Sequence, residues 1–273
     1  MRLWILFVLA LPVLAGNIDH IDLNLESNEI AMTFFNLSEG EAALIQNRKQ
    51  NILINTGSRS SRQQLFERLH IYGVRQLDAI ILTNASAEYT GNLQAVIDKF
   101  PVRQLISTKQ VLRRLETDDR STVKHFYWSE GDRKQLLKNL NVSVLYATKP
   151  GNEQAAMNLR FQYGSQKVLY MGINDKLSEK NMMKDQAIHC DILKIGNFGR
   201  EHGILSEFVK KVNPEIAVLF HKNGVQPDED LLELLENDWV ELFAMKEAGN
   251  LTVKITPQAY NTIIIPLEEE ETW

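Results

Sequence analysis

The stretch that decides the fold spans residues 78 to 92 and reads Asp78-Ala-Ile-Ile-Leu-Thr-Asn-Ala-Ser-Ala-Glu-Tyr-Thr-Gly-Asn92. Its first six residues form an almost continuous apolar run, which is typical of a central strand covered on both faces. The remainder is polar and contains a glycine, which is typical of a loop that follows such a strand. In α/β proteins functional side chains gather in loops beyond the carboxyl ends of the strands. We therefore expect this loop to line the functional site.

Strands and helices alternate on both sides of this stretch. Strands are predicted at residues 29–36, 42–46, 51–55, 78–83, 142–146, 159–163, 167–171, 191–195, 216–220, 251–255 and 262–265. Helices are predicted from Ser60 or Ser61 to Gly73, and at residues 91–100, 177–185, 205–212 and 229–236. Because no Pro/Gly-rich linker divides the chain, we predict a single α/β (α+β) domain of mixed sheets with outer helices.

The composition is that of a globular protein. Of the 273 residues 44% are apolar and 24% are charged, which excludes disorder or a coiled coil for the chain as a whole. The net charge of −5 disfavours sequence-blind nucleic-acid binding over the entire surface. A single cysteine, Cys190, excludes an internal disulfide and a cysteine-based zinc site. Cys190 lies in an apolar stretch, so we expect a core thiol rather than a nucleophile.

The first fifteen residues have the layout of a secretory signal peptide. A positive start at Arg2 precedes an apolar run from Leu3 to Leu14, and Ala15 lies where a signal peptidase would cleave. The run is too short to cross a bilayer, so no stable membrane span is expected once the signal is removed. We predict a signal peptide at residues 1–15, one domain at residues 16–273 with its core at about 29–266, and a secreted or extracytoplasmic location.

Five segments carry a resemblance, in the right order along the chain. They are Asn36-Leu-Ser-Glu-Gly-Glu-Ala-Ala-Leu-Ile45, Ile52-Leu-Ile-Asn-Thr-Gly-Ser58, the stretch 77–91, Asp191-Ile-Leu-Lys-Ile-Gly-Asn-Phe-Gly199 and Asn213-Pro-Glu-Ile-Ala-Val218. Together they resemble the metallo-β-lactamase fold, and most closely the hydrolase-like domain of ComEC-type competence (DNA-uptake) proteins. The resemblance implies an αββα four-layer sandwich, a site at one edge of the two sheets, zinc in the ancestral site and a bacterial origin.

The chain departs from this family at nearly every position where the family places a metal ligand, and only Glu88 keeps a plausible ligand type. The loop that carries His, Asp and His in active members has Asn84, Ser86, Glu88 and Tyr89. Three further ligand positions of the family are occupied here by Asn55, Ile173 and Gln226. The family's paired histidines are replaced by Asn197 and Phe198. A hydrolytic metal needs imidazole or carboxylate ligands, and neutral amides replace them poorly.

These substitutions predict a vestigial, metal-free pocket. Its candidate residues are Asn55, Asn84, Ser86, Glu88, Tyr89, Asn197 and Gln226. We assign no catalytic residue, no metal ligand and no cofactor. Two alternatives stay open: the asparagines are turn residues that tie off strand ends, or Glu88, His202 and His221 form a rearranged metal site.

The charge is unevenly distributed along the chain. Residues 59–138 contain 14 basic and 9 acidic residues, so this segment is positive although the chain is negative. The basic residues flank an aromatic run at 125–128, a combination that single-strand binders use. The candidate nucleic-acid-binding residues are Arg103, Lys109, Arg113, Arg114 and Lys124. The alternative is a solvated face on which Phe126 and Trp128 pack as ordinary strand residues.

The sequence thus favours an exported, catalytically degenerate hydrolase-like domain that acts by binding or as a structural partner. DNA and an envelope protein are the candidate partners, because the resemblance links the chain to DNA uptake. An active metal-dependent phosphodiester hydrolase with a rearranged site and an extracytoplasmic nucleic-acid-binding protein are the alternatives.

Overall fold

The computed structural model describes residues 20–115, 123–200 and 206–266, so the predicted signal peptide lies outside the described residues. The strands are β1 (Ile30–Phe34), β2 (Ala43–Gln46), β3 (Asn51–Ile54), β4 (Ala79–Ile81), β5 (Gln104–Ser107), β6 (Lys124–Tyr127), β7 (Arg133–Leu137), β8 (Leu140–Ala147), β9 (Met157–Tyr163), β10 (Gln166–Met171), β11 (Ile192–Lys194), β12 (Ile216–Leu219), β13 (Glu241–Ala244), β14 (Asn250–Ile255) and β15 (Tyr260–Ile265). The helices are α1 (Arg62–Ile71), α2 (Ala87–Thr90), α3 (Leu93–Lys99), α4 (Lys109–Arg114), α5 (Lys176–Met182), α6 (Ser206–Val212), α7 (Glu229–Asn237) and α8 (Met245–Ala248).

The strands form two mixed sheets. The first has eight strands in the order β15-β14-β1-β2-β3-β4-β5-β6, and the second has seven in the order β13-β12-β11-β10-β9-β8-β7. In the first sheet β3 to β6 are parallel, and in the second β10 to β13 are parallel. The carboxyl ends of these parallel strands carry the loops that form the candidate site.

Three buried clusters separate four layers. One cluster joins the inner faces of the two sheets and includes Phe34, Ile54, Phe161, Tyr170 and Val218. A second packs the first sheet on α1, α3 and α4, and a third packs the second sheet on α5, α6 and α7. This is the predicted αββα sandwich, with helices on both outer faces.

The elements that the sequence left unassigned lie mostly at the sheet margins. β6 and β13 are the terminal strands of their sheets, and β7 ends the second sheet on its other side. β6 and β7 are largely exposed, so they lack the apolar alternation by which a half-buried strand is read. Cys190 is buried as predicted, and burial raises the pKa of its thiol.

A glycine sets how closely the two sheets approach beside the site. A Cβ at Gly172 would lie 2.5 Å from the carbonyl oxygens of Met157 and Thr83, so a larger residue would push the strand ends apart. Across the described ranges, none of the helices has the length and apolar character needed to cross a bilayer.

Candidate functional site

A buried ion pair joins the two sheets at the site edge. Glu41 precedes β2 of the first sheet, Lys194 ends β11 of the second, and both side chains are fully buried. The Lys194 ammonium contacts the Glu41 carboxylate and donates a hydrogen bond of 2.6 Å to the carbonyl oxygen of Met171. Since an unpaired buried charge costs several kcal/mol, each residue requires the other.

Aromatic rings surround the Lys194 ammonium. Its Nζ atom lies 4.7 Å from the ring centroid of Tyr170, 5.5 Å from that of Tyr89 and 5.7 Å from that of Phe220. Ring faces of this kind stabilise a cation that has lost its water. Burial lowers the pKa of Lys194 and raises the pKa of Glu41, and in both cases the charge of the partner opposes the shift.

Asn55 extends this pair to the neighbouring strand end. Its Nδ2 atom donates to Glu41 at 2.7 Å and to the Thr83 hydroxyl at 2.9 Å, and its Oδ1 atom accepts from the Thr83 backbone N–H at 2.9 Å. Asn55 has φ 59°, a left-handed conformation that asparagine tolerates better than most residues. A carboxylate at position 55 could not donate to Glu41, so the amide suits this position.

Asn84 connects the loop at residues 84–92 to the second sheet. Its Nδ2 atom donates to the carbonyl oxygen of Gly172 at 2.8 Å, and its Oδ1 atom accepts from the backbone N–H and the hydroxyl of Ser86, each at 2.9 Å. Both ends of the amide are thus occupied by protein groups. The contact between Asn84 and Ser86 is the local hydrogen bond that the turn interpretation predicts, whereas Asn55 bonds to residues distant in the sequence.

A polar cleft of about 490 Å³ opens above this network. It is lined by Ser86, Glu88, Tyr89, Thr148, Asn152, Glu153, Gln154, Ile173, Asn174, Asp175, Asn197, Phe198, Arg200 and Lys222. Four of the seven predicted pocket residues therefore line one cleft, namely Ser86, Glu88, Tyr89 and Asn197. Asn55 and Asn84 lie buried outside its lining, and Gln226 is exposed and does not line it.

Glu88 is held by a lysine that the sequence did not single out. The Lys222 ammonium forms an ion pair with the Glu88 carboxylate, and both side chains are largely shielded from solvent. Burial alone would raise the pKa of Glu88. The hydrogen bond from Lys222 and the charges of Lys222 and Arg200 outweigh burial, so this pKa lies below its usual value. Glu88 is therefore an ionised carboxylate whose charge is already balanced.

Apolar and aromatic groups form the floor of the cleft. The rings of Tyr89 and Phe198 pack with their centroids 5.4 Å apart, and Ile173 is 3% exposed. The backbone N–H of Asn197 donates to the Tyr89 hydroxyl at 3.2 Å, and its Nδ2 atom donates to the carbonyl oxygen of Asn174 at 3.3 Å. Asn197 and Phe198 both have positive φ, which turns the chain sharply after β11.

The residues present do not fit the zinc that the resemblance implies. Asn84 is hydrogen-bonded to Ser86, and the rings of Tyr89 and Phe198 pack against each other. Glu88 is paired with Lys222. In the part of the chain that the structure describes, no three His, Cys, Asp or Glu side chains are grouped so as to hold a metal. His221 contacts Asn223 and does not line the cleft, while His202, the other histidine of the rearranged site, lies outside the described residues.

The predicted nucleic-acid-binding residues are engaged in different ways. Arg103 pairs with Asp78 at 3.0 Å, and Arg114 donates to the carbonyl oxygens of Asn152 and Glu153, which fixes a loop of the cleft. Lys109 and Lys124 lie over the rings of Tyr127 and Phe126, at 5.8 and 4.9 Å from the ring centroids. Arg113 is exposed.

The aromatic run at residues 125–128 packs only in part. Trp128 is buried, but Phe126 and Tyr127 are 37% and 51% exposed on the edge strand β6. The alternative that treats Phe126 and Trp128 as packed strand residues thus describes Trp128 well and Phe126 poorly.

Comparison with known proteins agrees with this geometry. Residues 38–172 match the metallo-β-lactamase superfamily. The metallo-β-lactamase fold protein YhfI from Bacillus subtilis superposes with a TM-score of 0.59 over 79% of this chain and 95% of that one, at 13% identity. The chain has the metallo-β-lactamase fold.

Two competence proteins show weak homology to this metallo-β-lactamase-fold chain. ComE operon protein 3 of Bacillus subtilis is 24% identical over 66% of this chain and 25% of its own length. Competence protein ComA of Neisseria gonorrhoeae is 23% identical over 77% of this chain and 29% of its own length. The chain therefore spans about a quarter of the length of these relatives. This homology relates the chain to part of each competence protein.

Sequence reasoning missed Glu41, Lys194, Lys222, Arg200 and Asn174. A signal for Lys194 was available, because one charged residue interrupts the apolar strand Ile192-Leu-Lys-Ile195 and so predicts a buried partner. Lys222 and Glu88 are 134 residues apart, and no local pattern connects them.

We expect Lys194→Met to destabilise the fold by about 3–5 kcal/mol, because it leaves the Glu41 carboxylate buried without its cation. The double variant Glu41→Gln/Lys194→Met removes both charges and should recover part of that loss. Urea denaturation of each variant measures the free energy of unfolding. Lys246→Met, at an exposed lysine, is the matched control and should change stability by about 0.5 kcal/mol or less. A loss in Lys194→Met no larger than this control would show that the pair is not structural.

Proposed function

We propose that the chain is a catalytically degenerate hydrolase-like domain that acts by binding a ligand or partner in its cleft, without a resident metal. The observation that carries the proposal is the Glu88–Lys222 ion pair. Glu88 is the one residue of the loop at residues 84–92 whose side chain is a good metal ligand, and an ammonium group already balances its charge. A lysine in this place supplies the positive charge that a metal would otherwise bring to the carboxylate.

The buried pair beneath the cleft supports the same conclusion. The carboxylate of Glu41 is paired with Lys194 and accepts a hydrogen bond from Asn55, so a buried ammonium already balances its charge. What the cleft offers is a set of hydroxyl, amide and charged groups around an apolar floor. Such a combination orients and binds a polar ligand.

The location and partners belong to the same proposal. The apolar run at residues 3–14 supports export, so the domain would act outside the cytoplasm. The homology to competence proteins supports a role linked to DNA uptake or the cell envelope, with DNA or an envelope protein as the partner.

Zinc or manganese should leave the melting temperature of the protein unchanged, because the cleft has no free set of ligands for them. A ligand that binds the native state raises the melting temperature, so a flat response across metal concentrations is the expected result. Glu88→Ala should respond in the same way as the unmodified chain. A metal-dependent rise in melting temperature, together with phosphodiester turnover that Glu88→Ala abolishes, would overturn the proposal in favour of a rearranged hydrolase site.

A second candidate function, single-stranded DNA binding, rests on the exposed rings of Phe126 and Tyr127. Lys109 and Lys124 lie over these rings. The edge strand β6 therefore offers flat rings on which bases could stack, next to cations that could contact phosphates. Arg113 is exposed on the helix α4 that carries Lys109. Arg103 and Arg114 contribute less, because they are engaged with Asp78 and with the loop at residues 152–153.

If this surface binds DNA, the chain will bind a fluorescent oligothymidylate with an affinity that falls steeply with salt. Lys109→Ala/Lys124→Ala should weaken binding and lower the salt slope by about 1.4, since each phosphate contact contributes about 0.7 for single strands. Fluorescence anisotropy over a salt series measures both effects. Lys210→Ala/Lys246→Ala, which removes two exposed lysines away from β6 and α4, is the control and should bind normally. Absence of binding at low salt would eliminate this candidate.

A further inference from the structure

The amide of Asn174 differs from its buried neighbours in having no partner. Asn174 lines the cleft and is 4% exposed, and neither its Nδ2 nor its Oδ1 atom makes a hydrogen bond in the structure. Asn55, Asn84 and Asn158 are equally buried, and both ends of each of their amides contact protein groups. A buried polar group without a partner destabilises a fold, so its presence in a cleft points to a ligand that completes it.

The unpartnered amide offers a donor and an acceptor side by side. A ligand that satisfies it must present an acceptor and a donor with the same spacing. An extended peptide does so, because the N–H and C=O of one residue point to the same side of a strand and can both bond to one neighbour. The edge of a nucleobase offers a comparable pair. The Asn174 amide therefore suits either of these two chemistries.

The rest of the cleft favours the peptide. A nucleobase is held mainly by stacking on an exposed ring, but the two rings that line the cleft, Tyr89 and Phe198, are 2% and 4% exposed. A phosphate needs uncompensated positive charge. Lys222 is paired with Glu88, and Arg200 lines the same cleft as the carboxylates of Glu153 and Asp175.

We propose that the cleft binds a short peptide in an extended conformation and that Asn174 recognises the N–H and C=O of one of its residues. This inference rests on the proposed function, because it requires the cleft to serve binding. Main-chain hydrogen bonds then give the peptide its affinity. Hydroxyl and amide groups of Ser86, Asn152 and Gln154 complete the walls.

The test compares Asn174→Leu with Asn158→Leu, which replace two buried asparagines by an apolar residue of similar volume. Asn158 accepts a hydrogen bond from the backbone N–H of Ile173 at 3.0 Å, so Asn158→Leu should lower the melting temperature. Asn174→Leu removes an amide that has no partner, so it should keep or raise the melting temperature. Trialanine, measured by titration calorimetry, should bind the unmodified chain and bind Asn174→Leu at least tenfold more weakly.

Four results would overturn the inference. They are a melting temperature of Asn174→Leu as low as that of Asn158→Leu, equal trialanine affinity of Asn174→Leu and the unmodified chain, no trialanine binding at millimolar concentration, and tighter binding of adenosine monophosphate than of trialanine. None of these results involves a metal. Failure of the peptide inference would therefore leave the metal titration, and with it the proposed function, to be judged separately.

Discussion

The ion pair between Glu41 and Lys194 is the interaction on which the rest of the site depends. It connects the first sheet to the second through two fully buried side chains, and neither charge can remain in the interior without the other. Asn55 donates a hydrogen bond to Glu41, and the backbone N–H of Thr83 donates one to Asn55. The ion pair therefore positions the ends of β3 and β4. The geometry of the cleft above follows from where the pair holds the two sheets.

The same principle of charge compensation recurs at the surface of the cleft. There, Lys222 balances Glu88, and hydroxyl and amide side chains such as those of Ser86, Asn152 and Asn197 line the same cleft. Neutral amides can bond to one another and to the backbone without mutual repulsion, so such a site is stable without a cation. The result is a cleft suited to recognition by hydrogen bonds.

Much of the fold could be predicted from the sequence, because buried strands appear in it as short apolar runs. The run at residues 78–83 marked a central strand, and β4 lies there between two parallel neighbours. Edge strands such as β6 were not predicted, because an exposed strand lacks the alternation of apolar and polar residues that identifies a half-buried strand. For the site, the sequence grouped Ser86, Glu88, Tyr89 and Asn197 but could not separate these cleft-lining residues from Asn55 and Asn84. Both sets follow strands, and only the packing of the two sheets decides which of these side chains line the cleft.

We propose that lysine ammonium groups, rather than a metal, balance the carboxylates at this site. The most direct measurement is the metal content of the full chain, produced in zinc-supplemented medium, purified without chelators and analysed by mass spectrometry of its elements. The account predicts zinc, manganese and iron well below one atom per chain. One or two tightly held metal atoms per chain, retained through dialysis, would contradict it.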